Sequence, residues 1–362
     1  MKKILILAPF PHLSGGVNNY ISLLIKNLNE EKFEATLLYT GKTGVFWKDI
    51  CYPFLVMFQS HKLKKKIKEF NPDVIHLNPS LTFISIIRDF IFLKIAFKNS
   101  VPTLLFVGGW RKSISKKFKS VIFLRYFKKN FERATLIVVL AKEFKEELIK
   151  LGIKSEKICI TSTMVESDIY LPKNKTFDQP YTILYCGSMV KYKGPFELLD
   201  AIPQVLEHEK NLSFVFMGEG PELENLKCKI KNMGIEKYVS FTGYKSGEEK
   251  YNIFKSSHIF VLPSYTEGFP NVVLEALAAG LPIIATPVGG LKDAIQNEKN
   301  GFLIESNPPY SRDISSMILK LIKDPSMMVR MSEFNIKEAK EKYDVKVVCK
   351  QVERIYDRVT KK

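Results

Sequence analysis

The 362 residues carry 55 Lys and Arg against 38 Asp and Glu, a formal net charge of +17, with 46% hydrophobic and 26% charged residues; these are globular proportions, in a chain long enough for two domains. Cys51, Cys159, Cys186, Cys228 and Cys349 are scattered, odd in number and never spaced C-x-x-C, which argues against a disulfide framework or a cysteine zinc site and fits a reducing compartment. Residues 1–175 hold 30 basic against 14 acidic side chains and residues 176–362 hold 25 against 24, so one half is expected to face an anionic partner.

The amino terminus, MKKILILAPFPH, has a short apolar run stopped at once by Pro9 and Pro11, with no small-residue cleavage site. It reads as a buried first strand rather than a secretory signal. Further strands are expected at Ala35–Tyr39, Val74–Leu77, Thr103–Val107 and Leu136–Val139, after a first one at Lys3–Ala8, with longer amphipathic stretches between them. The most hydrophobic of those stretches, Leu81 to Phe97, is interrupted by Arg88, Asp89 and Lys94 and is not expected to span a bilayer. The second half repeats the rhythm at Tyr181–Cys186, Ser213–Met217, Val239–Thr242, Ile259–Leu262, Ile283–Thr286 and Gly301–Ile304. Such alternation predicts an α/β protein with two doubly wound parallel sheets in tandem. The polar, proline-bounded LPKNKTFDQP at residues 171–180 reads as the linker between a domain of residues 1–170 and one of residues 181–340. Residues 341–362 read as a C-terminal helix packing back on the first domain. In open parallel sheets ligands sit beyond the carboxyl ends of the strands, so two such lobes facing each other would form one cleft.

The richest stretch is FVLPSYTEGFPNVVLEALAAGLPIIATPVGG, from Phe260 to Gly290. A strand ends near Leu262, an irregular loop carries Glu267, Gly268 and Phe269, and Pro270 suits the first turn of a helix over Asn271–Ala279. Gly280 and Pro282 stop that helix. Glu275 is its one charged residue, and neither Asn271 nor Ala279, four residues to either side, offers a salt bridge. A carboxylate on a buried helix is costly unless donors satisfy it, and ribose hydroxyls would supply two. The helix start favours a phosphate, and from Pro270 to Glu275 it rises about 7.5 Å. A donor lying along it would place sugar near Glu267, diphosphate at the amides and ribose against Glu275. The plainer alternative is that Glu267 favours the helix dipole and Glu275 pairs with a distant lysine. Elsewhere Gly15 and Gly16 follow the first strand and open a helix, where backbone can approach a ligand.

The run E-G-F-P-N-x-x-x-E-A-x-A-x-G-x-P-I-I-A-T-x-x-G-G resembles the signature of the family 4 glycosyltransferases, the large retaining class with the GT-B fold of two Rossmann-like domains facing across a cleft. The resemblance extends over nearly the whole chain, through the early GGV, DVIHLN, YCGSMVKYKGPFELLDAI and FVFMGEGPELENLK. It implies a retaining transfer from a nucleotide diphosphate sugar, with no metal and no cofactor. Glu267 and Lys193 become the catalytic candidates. Gly15, Gly16, Ser188, Lys193, Gly218, Gly243, Glu267, Gly268, Phe269, Pro270, Asn271 and Glu275 become the donor-binding ones. Gly220 and Gly289-Gly290 resemble further glycine turns of the donor lobe. Ser188 stands where the family has an arginine, leaving Lys193, and conceivably Lys191, to neutralise the diphosphate. Gly108 stands where many relatives carry a histidine, while His12 and His76 are assigned no role.

Two cationic stretches account for the basic half. Arg111–Arg133 interleaves lysines and arginines with Phe118, Phe123, Tyr126 and Phe127, and His61–Lys68 reads HKLKKKIK. This composition suits helices resting on anionic lipid, so the first lobe is expected to dock on the cytoplasmic face of the membrane, beside a lipid-linked or oligosaccharide acceptor. Solvated helices with core aromatics would carry the same pattern. Nucleic acid is not expected: no recognised module appears, and the charge is confined to one half. The competing enzymes on this fold are a nucleotide-sugar epimerase and a glycoside phosphorylase, whose cofactor lysine is not found. A catalytically silent sugar-nucleotide binder is the competing non-enzyme.

Overall fold

The computed structural model describes residues 1–12, 15–42, 52–79, 83–109, 121–305 and 307–360. Cys51 and the part of the cationic stretch at 111–120 lie outside them. The chain forms two compact units, one of Met1–Thr163 with Val345–Lys362 and one of Met164–Asp344.

In the first unit the order is β1 (Lys2–Ala8), α1 (Gly16–Asn27), β2 (Phe33–Tyr39), α2 (Tyr52–Phe70), β3 (Val74–Leu77), α3 (Phe83–Lys98), β4 (Thr103–Val107), α4 (Val121–Phe131), β5 (Leu136–Val139), α5 (Lys142–Lys150) and β6 (Ile158–Ile160). The sheet runs β2-β1-β3-β4-β5-β6, parallel throughout. Every residue of β3, β4 and β5 is buried, as strands covered on both faces require. The sequence pattern misses β6 because its apolar run, Ile158-Cys159-Ile160, is only three residues long, with the second half-buried and the third exposed. The C-terminal helix Val345–Thr360 lies against α1, β3 and β4, and its Tyr356 hydroxyl meets Nδ1 of His76 at 2.7 Å.

The second unit continues with α6 (Ser167–Tyr170), β7 (Tyr181–Cys186), α7 (Pro195–Leu206), β8 (Leu212–Met217), α8 (Leu223–Met233), β9 (Val239–Gly243), α9 (Gly247–Ser256), β10 (Ile259–Leu262), α10 (Asn271–Ala278), β11 (Ile283–Ala285), α11 (Leu291–Ala294), β12 (Gly301–Leu303), α12 (Ser311–Lys323) and α13 (Pro325–Glu338). Its sheet, also parallel, runs β12-β11-β10-β7-β8-β9. β7 and β10 are therefore central, and their carboxyl ends carry the two richest motifs.

Residues 171–180 are not a linker between the units but part of the second. Phe177 is buried, and the Lys175 ammonium donates to the carbonyls of Lys255, at 3.0 Å, and Ser257. Just before them α6 packs on α9 and α10, with the Tyr170 ring edge-on to Tyr251 and Phe254. Polar composition resembles a linker, but here Lys175 caps α9 and Gln179 bonds Glu209 and Asn211. The chain crosses into this unit at Met164 and leaves it at Asp344, and the two crossings are tied together. Val165 N–H donates to the Tyr343 carbonyl at 3.0 Å, and the Ser167 hydroxyl to Asp344 at 2.6 Å.

Candidate active site

The loop after β7 turns through a short 3₁₀ segment, Lys191–Lys193, into the left-handed Gly194. That glycine is required. Its φ is +73°, and a Cβ there would lie 2.1 Å from the Pro263 carbonyl oxygen. The close approach lays the loop on the end of β10 and sets Lys193 Nζ 2.7 Å from both carboxylate oxygens of Glu267. The two catalytic candidates, 74 residues apart in sequence, form one ion pair with side-chain exposures of 24% and 5%.

The loop carrying Glu267 is fixed from beneath by the turn after β11. Gly290 N–H donates to the Gly268 carbonyl, and Gly289 (φ +54°) comes so close that a Cβ would stand 2.3 Å from the Glu267 carbonyl oxygen. This gives Gly289-Gly290 a structural task in shaping the loop. Phe269, expected among the donor-binding residues, turns its ring away into the unit. Its ring is buried against Gly290 and lies 5.6 Å from Tyr343, where burying the aromatic surface holds the loop down. Pro270 is the residue before α10, and no side chain caps that helix; Val273 N–H donates to the Pro270 carbonyl at 3.1 Å, leaving the amides of Asn271 and Val272 as the helix-start donors.

Glu275, on the buried side of α10, has a protein partner that neighbours four residues away could not reveal. Lys250 of α9 donates to its Oε1 at 2.7 Å, and the side-chain exposures are 20% and 8%. The plainer alternative, that Glu275 pairs with a distant lysine, is the one the structure shows: the partner comes from the neighbouring helix. Its other oxygen, Oε2, is buried without a hydrogen-bond partner, and so is Oδ1 of Asn271 one turn earlier. Burial would lower the Lys250 ammonium, but the Glu275 carboxylate outweighs it and holds the pKa above the usual lysine value. The surrounding acids stay neutral. Burial, then the Glu275 charge, pushes the Cys186 thiol up to about 12 and raises the Tyr170 phenol as well. Glu275 is thus a buried carboxylate held by Lys250 and lying against the Tyr170 phenol and the Cys186 thiol.

Ser188 is exposed on the same loop as Lys193, and Lys191, its neighbouring cation, is 80% exposed and 3.9 Å from Glu222. Gly218 and Gly243 end β8 and β9 and are joined by a 2.9 Å backbone hydrogen bond, while Met189 N–H reaches the Glu219 carbonyl at 2.8 Å. The turns after β7, β8 and β9 are therefore knitted together. Gly15 and Gly16 belong to the first unit: Gly15 is extended, and Gly16 begins α1, which has no side-chain cap. His76 is wholly buried in the first unit, and Gly108 follows β4. Among the described residues no three His, Cys, Asp or Glu side chains gather into a group that could hold a metal ion.

Two family models tile the chain: Glycosyltransferase Family 4 over residues 14–168 and Glycosyl transferases group 1 over residues 166–338. The chain belongs to the family 4 glycosyltransferases. An uncharacterized glycosyltransferase of Methanocaldococcus jannaschii, MJ1178, is 26% identical over 97% of this chain and 96% of its own length. The capsular polysaccharide biosynthesis glycosyltransferase CapM of Staphylococcus aureus is 25% identical over 72% of each chain. Among solved structures, Anabaena Alr3699/HepE in complex with UDP superposes with a TM-score of 0.78, covering 99% of this chain and 100% of that one at 17% identity. That likeness establishes the GT-B fold of this glycosyltransferase. The second unit, with Lys193, Glu267 and α10, is the one the group 1 model covers almost entirely.

Proposed function

We propose that this glycosyltransferase moves a sugar, with retention and without a metal, from a nucleotide diphosphate donor to a lipid-linked or polysaccharide-precursor acceptor. The observation that carries the donor reading is the pair of buried, unpartnered acceptors, Oδ1 of Asn271 and Oε2 of Glu275, one turn apart on α10. Two hydroxyls of a ribose would satisfy both. The uncapped start of α10 would take the diphosphate, and the sugar would then lie at Glu267. Anabaena Alr3699/HepE has also been solved with UDP-glucose, which makes UDP-sugars the first donors to test.

In the free protein Lys193 is spent on Glu267. Donor diphosphate beside it would share that cation and free carboxylate oxygens to accept hydroxyls of the transferred sugar. As the bond from sugar to diphosphate breaks, negative charge grows on the leaving oxygen, where Lys193 and helix-start amides stabilise it. Attack from the same face, with a donor phosphate oxygen accepting the acceptor's proton, follows the family resemblance.

The first unit supports docking on anionic lipid. Phe54, Met57 and Phe58 of α2 are 68%, 65% and 56% exposed, and His61, Lys62, Lys64, Lys65 and Lys68 follow along the same helix. In α3, exposed Ile87 and Ile91 are succeeded by exposed Lys94 and Lys98. Apolar tips backed by cations fit the boundary between lipid headgroups and acyl chains on the cytoplasmic face.

The test is turnover of UDP-, GDP- and ADP-sugars followed by nucleotide release. One donor class is expected to react, and Glu267→Gln should slow it about a hundredfold or more with the melting temperature preserved. Undiminished turnover by the variant would refute Glu267's role.

A further inference from the structure

Lys250 is no part of the glycine-rich or Glu-containing motifs, and in KSGEEKYN it reads as one more surface lysine at a helix start. The fold gives it a different position. Its ammonium is 5.9 Å above the ring of Phe254, a wholly buried side chain that packs on Phe260 and Tyr170. From that base Nζ reaches Oε1 of Glu275 and leaves Oε2 without a partner. A surface lysine would instead be mobile and hydrated.

We propose that Lys250 is a positioning residue for donor recognition: by holding Oε1 of Glu275 it aims Oε2, beside Oδ1 of Asn271, at the two hydroxyls of the donor ribose. This rests on the reading of Glu275 as a ribose acceptor. Held at Oε1 by Lys250, the carboxylate leaves Oε2 buried and without a hydrogen bond although the Tyr170 phenol interacts with Glu275. Asn271 and Glu275 are four residues apart on one helical face, with an axial rise of about 6 Å between them. Each offers one dry acceptor to a vicinal diol. A nucleotide lacking the 2′-hydroxyl leaves one of them buried and unsatisfied, and sites built to bond a hydroxyl discriminate strongly against its loss. Without Lys250, Glu275 is free to turn, and that discrimination should relax.

The experiment compares UDP with 2′-deoxy-UDP, and the GDP and ADP pairs where those bind better, by calorimetric titration of wild type, Lys250→Met, Lys250→Arg and Glu275→Gln. Wild type is expected to favour the ribose form about tenfold or more. In Lys250→Met affinity should fall about tenfold and the preference shrink to about twofold. Lys250→Arg should restore most of both. In turnover the loss should fall on KM rather than kcat. A ratio measured on one sample is independent of its active fraction. If Lys250→Met does not fold, Lys250→Gln, uncharged and one bond too short to hold Oε1, takes its place with the same expected loss of preference. A Lys250 variant that keeps the wild-type preference while Glu275→Gln loses it overturns the proposal and leaves Glu275's role standing. Preference retained in both variants, or no nucleotide bound by wild type, overturns both readings.

Discussion

At the scale of single residues, the candidate site pairs its charges, Lys193 with Glu267 and Lys250 with Glu275. Lys193 and Glu267 were legible because each stands in a motif with strand-to-helix context, although only the fold shows them as one ion pair. Lys250 was not legible, because its partner is 25 residues away on another helix and local spacing carries no trace of it. The histidines tell the opposite story, since their burial rather than any motif defines them. Burial lowers His76 to about 3, and burial, then the nearby Lys175 charge, lowers His258 to about 4. Both folded values lie below the unfolded histidine value of about 6.5, so the unfolded chain binds more protons between them. Stability is full above about pH 6.5 and falls as pH drops toward 4, on the order of a few kcal/mol for His76. Melting temperatures across pH 7.5 to 4 should decline over that window, and His76→Gln should flatten the decline. A profile that does not respond to His76→Gln would contradict a neutral buried imidazole.

The elements were the most legible part of the sequence. Runs such as VIHL, TLLFV and LIVV are buried at every position, and their shortness and regular alternation with longer amphipathic stretches mark them as strands covered on both faces. What composition misjudged was the proline-bounded 171–180 stretch, where polarity serves hydrogen bonds to α9 rather than flexibility. It also could not tell which face of α2 and α3 is open. Core positions such as Val56, Leu63 and Ile67 point inward, while Phe54, Met57 and Phe58 remain outside, with Lys62 Nζ 4.5 Å above the Phe58 ring. If these helices meet lipid, the protein should sediment with vesicles containing anionic lipid and not with neutral ones. Phe54→Ser with Phe58→Ser should weaken that binding about tenfold or more, from the apolar surface no longer buried in the membrane. Equal recovery in the supernatant with both vesicle types would rule out the docking surface.

For the whole molecule, two parallel six-stranded sheets and a final helix returning to the first unit give this family 4 glycosyltransferase its form. The charge asymmetry is a property at this scale too, because almost all of the excess falls on residues 1–175 and leaves residues 176–362 close to neutral. On the proposed reading, discrimination in that half is a matter of placed groups rather than of bulk field: one cation for the diphosphate, two buried acceptors for the ribose. The identity of the sugar leaves no comparable mark, since its contacts depend on side-chain directions that motif spacing does not encode. Titration of wild type and Lys193→Met with UDP-, GDP- and ADP-sugars tests the arrangement most directly. Wild type should bind one class, and loss of the Lys193 charge should weaken it about tenfold or more. Failure of every nucleotide sugar to bind, or equal binding by both proteins, would contradict it.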